Sequence, residues 1–363
     1  MSKKKIFITL FVTLIFSMIT MTCYASDTDL YLTTSPCPEP YINYAEENAL
    51  GFIQTVEEQY NVQYTDLSIG HPFNFGNDNA DIYYFPIFNN NELIYLFRVY
   101  PTDSGYCGAI SEFLVNELNS LAHKTSQQAP MTLWMEENDI IAQIDNTEYI
   151  LFTYPENVFS DNNVLPASYT VESPARFVVD ITEEVNYNLV PVVSPYATNS
   201  LSKYLNLTIK NTQGSTPWCA TYVADIILRY IGAVPSSHSF RTIVDYFDLS
   251  TSEPLGDTNL KNYAKTKAVF ISKKTVSSSL NEDLVAEIDA GRPVYLSMLN
   301  ATTNGGHAIA LCGYNLSSTT YTIWNPWYSY TESYSMYGSY VPSGSSSTIY
   351  NIRGYFSPWK ISK

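Results

Sequence analysis

Cysteine is scarce in this 363-residue chain, with five residues at 23, 37, 107, 219 and 312. So few thiols exclude a scaffold built from disulfides, and none of their spacings suits a zinc site. Lysine and arginine are nearly missing from the first half. Residues 26–195 hold 3 of them against 25 Asp and Glu, whereas residues 196–363 hold 13 against 10. A surface this acidic argues against nucleic-acid binding, which needs clusters of Lys and Arg. The contrast between the halves predicts two modules that attract each other, although acidity also serves solubility alone. Long apolar runs are missing beyond Ile6 to Thr22, so no later segment approaches the roughly 18 apolar residues of a membrane helix. No metal or other cofactor is expected.

What is present starts with a leader. Lys3-Lys4-Lys5, the apolar run and then Cys23-Tyr24-Ala25 read as a secretory signal over residues 1–25, cleaved after Ala25. A lipid-modified Cys23 fits less well, because Thr20-Met21-Thr22 lacks the Leu and small-residue run that precedes such a cysteine. The expectation is an exported, soluble monomer with two domains, residues 26–195 and 196–363. A hydrophobic content of 45% is that of a globular protein. Of the remaining cysteines, Cys37 and Cys107 could pair with each other, which the sequence leaves open. Cys312, in Ala308-Ile309-Ala310-Leu311-Cys312-Gly313, reads as a buried strand residue. A free thiol among these four is better explained as reactive than as structural.

In the first domain, apolar residues from Tyr41 to Val62 repeat at helical spacing. Asp81 to Phe88 and Glu92 to Tyr100 alternate around Asn89-Asn90-Asn91 and predict a hairpin. A second helix is expected over 111–122, two strand-like runs over 131–152 and a further strand over 176–180. His71 and His123 stand apart and suggest no catalytic cluster. Val190 to Asn206, rich in Pro and small polar residues, reads as the linker. In the second domain a helix follows Cys219 and stops at Gly232, and another spans 281–290. Strands are expected over 293–298, 307–314 and 319–325, with a Tyr-rich tail over 328–359 completing an antiparallel sheet. The fold class is α+β throughout.

Four residues of the second domain form a chemical set. Cys219 ends Gln213-Gly214-Ser215-Thr216-Pro217-Trp218 at a helix start, His307 follows Gly305-Gly306, and Asn325 precedes Pro326-Trp327. A free cysteine near pKa 8.5 is mostly protonated at neutral pH. A helix N-terminus and a neighbouring imidazolium would lower that value and yield a thiolate nucleophile. Positions 307 and 325 are symmetric about residue 316, so a hairpin turning there sets them opposite each other on one face. The Asn325 amide could then orient the His307 ring, with Trp327 excluding water. Gln213 could complete an oxyanion hole with the Cys219 backbone N–H. Each residue alone is weak evidence, but the four in this order point to a cysteine peptidase.

At these residues the chain resembles the papain-like cysteine peptidases, and among them the staphopains of Gram-positive bacteria. The likeness lies in Thr212-Gln213-Gly214 through Trp218-Cys219-Ala220, in Gly306-His307-Ala308 and in Ile323-Trp324-Asn325-Pro326-Trp327. It covers roughly residues 203 to 330. The resemblance implies Cys219 as nucleophile, His307 as base and acid, Asn325 as orienter and Gln213 in the oxyanion hole, acting on protein or peptide substrates. It also implies secretion as a zymogen, with residues 26–195 as a cystatin-like, inhibitory pro-domain. Pro217 before Trp218 and the second thiol at Cys312 depart from the family's pattern. Two other readings compete. A peptidoglycan amidase or endopeptidase would share the Cys-His chemistry, but Gln213, the Asn-Pro-Trp segment and the lack of cell-wall-binding repeats favour a protein substrate. A non-enzymatic secreted binding protein would be expected to lack a catalytic residue, and none is missing.

Overall fold

The computed structural model describes residues 30–362, except 31, 34, 76–80, 103–104, 125–129, 155–200, 302 and 346–347. The expected strand over 176–180 and most of the expected linker lie outside the described residues.

The first helix, α1 (Glu39–Tyr60), follows Pro38 and closes at Asn61, whose left-handed φ of 53° lets its N–H reach the Glu57 carbonyl. Its buried face, including Tyr41, Ala45, Ala49, Phe52, Ile53 and Val56, recurs every three or four residues. That face lies on β2 (Tyr83–Asn89), β3 (Glu92–Thr102) and β4 (Gly105–Ser111), with the Phe52 and Phe97 rings 5.0 Å apart. A short β1 (Leu67–Ile69) flanks β2. The β2–β3 hairpin forms where it is expected, because Asn90 and Asn91 both accept positive φ, 50° and 70°.

Two expectations shift here. Helix α2 covers Val115–Lys124, since β4 carries the chain extended to Ser111 before a helix can begin. Three strands, β5 (Met131–Glu136), β6 (Asp139–Ile144) and β7 (Thr147–Thr153), occupy the stretch read as two. Their turns use Glu137 (φ 52°) and Asp145 (φ 54°) in place of the Gly or Pro that would have marked them.

In the second half, β8 (Ser202–Tyr204) is already a sheet strand, so the expected linker ends earlier than residue 206. Helix α3 (Cys219–Tyr230) buries Ala220, Val223, Ile226 and Ile227 and is closed by Gly232, which adopts a φ of 72° without a Cβ penalty. Between Gly232 and Val269 lie two helices for which no expectation was set, α4 (Phe240–Phe247) and α5 (Asp257–Thr266). Ile243 and Val244 supply the buried side of α4, too short a stripe to stand out in sequence. Then come β9 (Val269–Thr275), α6 (Leu280–Asp289), β10 (Val294–Asn300), β11 (Gly306–Asn315), β12 (Thr320–Trp324), β13 (Thr331–Ser335) and β14 (Tyr350–Ile361).

All pairs in the main sheet are antiparallel, in the order β1-β2-β3-β4-β13-β12-β11-β10-β14-β9, with β8 on β11. The two halves therefore share one sheet, joined where Ile110 and Ala109 of β4 face Ser333 and Tyr334 of β13. Strands β5–β7 form a separate sheet. One contiguous core runs from this small sheet into the second half, where Phe113 lies 5.7 Å from Tyr328 and Tyr154 meets Trp327 edge-on at 6.2 Å. The architecture is mixed helix and antiparallel sheet, as an α+β class requires.

Candidate active site

Trp218 anchors the start of α3. Its ring is buried, its indole N–H donates to the Ser250 carbonyl at 3.2 Å, and its own carbonyl accepts the Thr221 and Tyr222 N–H groups. Cys219 is thereby fixed as the first helical residue, packed toward β11. Backbone N–H groups of Ala308, Ala220 and Cys219 itself are directed at its sulfur. Ala308 directly follows His307, so the thiol sits against the strand that carries the histidine.

His307 is buried near the start of β11, paired in the ladder with Met298 of β10. Its Nε2 lies 3.0 Å from Asn325 Oδ1, and that oxygen also accepts the Trp327 backbone N–H at 3.1 Å. The Trp327 ring stacks on the imidazole, with centroids 4.1 Å apart and planes 19° from parallel. The Asn325 amide and the Trp327 ring thus both lie against the His307 imidazole.

The route to that contact differs from the expected one. The β11–β12 ladder pairs Ala310 with Trp324, and a bulge separates Leu311 from Gly313. Continuing that register would set Asn325 beside Ile309, two positions from His307 and not opposite it. A two-residue offset preserves the face, because side chains alternate with period two, and diagonal neighbours still touch. Cys312 sits at the bulge, buried as expected, with its sulfur 3.4 Å from the Thr322 carbonyl. All four described cysteines are free, so Cys37 and Cys107 are not bonded.

Gln213 is buried and tied to the same corner, its backbone N–H donating to the Pro326 carbonyl at 2.6 Å. Its side-chain Nε2 donates to the Thr216 carbonyl, and its Oε1 is buried without a partner. An oxyanion role requires the second Nε2 hydrogen or release from Thr216. The chain bends at residues 215–217, so Pro217 is accommodated without displacing the start of α3.

Electrostatics depart from the expected thiolate–imidazolium pair. Burial pushes the Cys219 thiol up to about 11, outweighing the three N–H groups that favour the thiolate. Burial also pulls His307 down to about 4, against the raising effect of Asn325. Between those values the resting pair is thiol and neutral imidazole.

The sequence reading overlooked several polar residues in the second half. His238 lies between Asp225, at its Nδ1, and Tyr263 OH, 2.8 Å from its Nε2, while Asp225 also pairs with Arg229 at 3.0 Å. This cluster ties α3 to the loop before α4 and to α5, and Arg229 Nη1 also donates to the Thr208 carbonyl at 3.0 Å. Closer to the site, Asn325 Nδ2 donates to Tyr340 OH at 2.8 Å, and Tyr340 OH donates to Glu332, which is paired with Arg98 at 3.0 Å. Glu332 is the sole acidic residue after Asp289, and such a charge inside the Tyr-rich tail was the available signal.

Comparison with known proteins adds to this geometry. Residues 204–352 match the Peptidase_C39 like family. Staphopain A of Staphylococcus aureus strain Mu50 / ATCC 700699 is 22% identical over 209 residues, covering 53% of this chain and 52% of that protein. The chain thus spans about half the length of that relative. Staphopain A of strain MRSA252 is 20% identical over 318 residues, 80% of each chain. An extracellular cysteine protease of Staphylococcus epidermidis strain ATCC 12228 / FDA PCI 1200 is 21% identical over 347 residues, 83% of this chain and 81% of that protein.

Proposed function

We propose that the papain-like cysteine peptidase domain at residues 204–352, near the staphopains in kind, works as a secreted endopeptidase made as a zymogen. The observation that carries this reading is the His307 imidazole held at 3.0 Å by Asn325 under the Trp327 ring, on the strand against which the Cys219 sulfur rests.

In the proposed reaction, His307 Nδ1 takes the Cys219 proton as the sulfur attacks a peptide carbonyl. The negative charge on the tetrahedral oxygen is met by the Cys219 N–H at the start of α3 and by Gln213. His307 then returns the proton to the leaving amine, and the thioester is hydrolysed by water that His307 deprotonates. Asn325 keeps the proton on Nε2 throughout, leaving Nδ1 free for this traffic.

Secretion rests on the leader over residues 1–25, and among the described residues no helix is long and apolar enough to cross a membrane. The module over 26–195 is proposed as a cystatin-like pro-domain and intramolecular inhibitor. Its helix on an antiparallel sheet and the Tyr154–Trp327 contact beside the histidine support that role. Activation would come by cleavage within 186–210. Strand β8 and the bond from Leu205 N–H to the Cys312 carbonyl hold residues 202–205 in the sheet, which favours a cut before residue 202.

The test uses residues 26–363 under reducing conditions, with and without Cys219→Ala, followed by intact mass and casein hydrolysis. Shortening near residues 186–201 with a gain of activity is expected in the native chain alone. A native chain that stays inactive even after a second protease trims the linker would remove this reading.

A further inference from the structure

The second half pushes one turn into the first. Pro342-Ser343-Gly344-Ser345 lies between Tyr340 and β14, closed by the Ser345 N–H on the Pro342 carbonyl at 3.2 Å. Gly344, third in the turn, has a φ of 79°, the value a type II turn demands there. Tyr328 OH donates to the Ser343 carbonyl at 2.8 Å, and the Ser343 hydroxyl donates to Glu332 at 2.5 Å. Contacts within the second half thus already shape this turn.

Buried residues of the first half line the slot that receives it. Arg98 of β3 donates to the Val341 carbonyl at 2.8 Å and to Ser343 Oγ at 2.7 Å. Ser111, ending β4, shares a hydrogen bond with the same hydroxyl at 2.7 Å. Tyr84 OH of β2 donates to the Ser345 carbonyl at 2.7 Å, and Tyr154 OH donates to the Ser343 carbonyl. Phe113 and Ile140 close the floor. A Cβ on Gly344 would lie 2.6 Å from each of them and would run into the Tyr154 hydroxyl. No side chain fits at that tip unless its close-packed surroundings move. Tyr154 also meets Trp327 edge-on at 6.2 Å, and Trp327 covers the His307 ring. The grip therefore lies beside the candidate active site, through atoms that take no part in the proposed reaction.

We infer that the Pro342–Ser345 turn is the element by which the first half recognises the half it inhibits, a preformed knob in a slot with no room for a side chain at its tip. The inference rests on the inhibitor reading for its consequence, and on geometry for the recognition. The strand joint between the halves is short, pairing only Ile110 with Ser333 and Ala109 with Tyr334, so specificity has to come from elsewhere. Because the turn is shaped before docking, seating it loses little conformational freedom. The carbonyls of Val341, Ser343 and Ser345 accept hydrogen bonds across the seam, which reads the path of the backbone. The bare tip then discriminates by clash. A peptidase with the same catalytic residues but a larger residue at this position should escape the first half.

The test cuts the full chain once within residues 186–201 with an added protease and asks at what concentration the two pieces part. Every chain carries Cys219→Ala, which stops self-digestion, and is followed by size exclusion on serial dilution. Gly344→Ala should raise the parting concentration about 10–100-fold over the parent, the range for overpacking a close-fitted contact. Tyr154→Phe gives up one hydrogen bond and keeps its ring on Trp327, so it should raise that concentration about 2–10-fold. Gly313→Ala adds the same methyl group against β8, within the second half, and should stay within about twofold of the parent. Equal shifts in the two glycine variants, or none in Gly344→Ala, would overturn the inference. If Gly344→Ala does not fold, Tyr154→Phe decides, and pieces that part where the parent's do count against the slot. With Cys219 restored, casein hydrolysis should appear at correspondingly higher concentrations in the variants that part more readily. Should the shifts appear while no cut chain cleaves casein at any dilution, the recognition stands and the peptidase reading falls.

Discussion

Crowding at Cys219 and His307 favours the uncharged form of each, and this sets what the full chain should do. With its thiol raised to about 11, Cys219 should react slowly with iodoacetamide at pH 7 and faster as pH climbs toward 10. Rapid labelling at neutral pH would show an ion pair already formed. The histidine carries a sign of its own. Its folded value, about 4, lies below the unfolded value near 6.5, so the unfolded chain binds the extra proton between those limits. Stability from this group is complete above about pH 6.5 and is lost as pH falls toward 4, on the order of 3 kcal/mol in all. Melting curves of His307→Gln should therefore decline less than wild type over that window; parallel declines would assign the acid sensitivity elsewhere. In processed enzyme, Asn325→Ala should keep more activity than His307→Ala, and equal losses would give Asn325 more than an orienting part. All four proposed site residues could be read in the sequence because each sits in a local motif. The pairing of Arg98 with Glu332 could not, since 234 positions of chain separate them.

At the scale of elements, the bulge in β11 decides the site's geometry. Gly313 follows it, and a Cβ there would lie 2.6 Å from the Tyr204 ring, 3.0 Å from the Lys203 carbonyl and 3.1 Å from Thr322 Cβ. The backbone of β8 approaches too closely for any side chain. Gly313→Ala should cost about 1–3 kcal/mol in chemical denaturation and push β8 outward. An unchanged midpoint would mean that β8 contributes little. Elements with strong periodicity, such as α1, α3 and the β2–β3 hairpin, follow directly from their residues. Those that escaped the sequence reading lack the usual marks: β6 and β7 turn on Glu137 and Asp145, and α4 is two turns long. The face shared by His307 and Asn325 was inferred correctly from a register that is off by two residues, because an even error leaves parity intact.

For the molecule as a whole, charge counts suggested two bodies held by opposite fields, whereas the larger sheet and the larger of two hydrophobic clusters run across both. Contacts beyond the sheet reinforce this: Thr55 of α1 bonds Ser318 at 2.6 Å, Gln59 bonds Thr331 at 2.8 Å, and Tyr100 bonds the Ser339 carbonyl at 2.7 Å. Composition could not reveal this, because such a seam is built from Tyr, Ser and Thr scattered along the chain. Calorimetry should show a single cooperative transition, and a nick within 155–200 should leave the two pieces co-eluting in size exclusion. Two separated transitions would restore the picture of loosely docked domains.

The seam has a further cost when it opens. β13 is interior only because β4 lies on one side of it. Should the N-terminal piece depart, Thr331 to Ser335 would become a sheet margin with unsatisfied main-chain donors and acceptors, flanked by tyrosines. Such a margin recruits strands from whatever is nearby, including other copies of the same chain. While it stays in place the first half caps that margin, and solubility of a liberated second half would depend on a substitute strand arriving in its place.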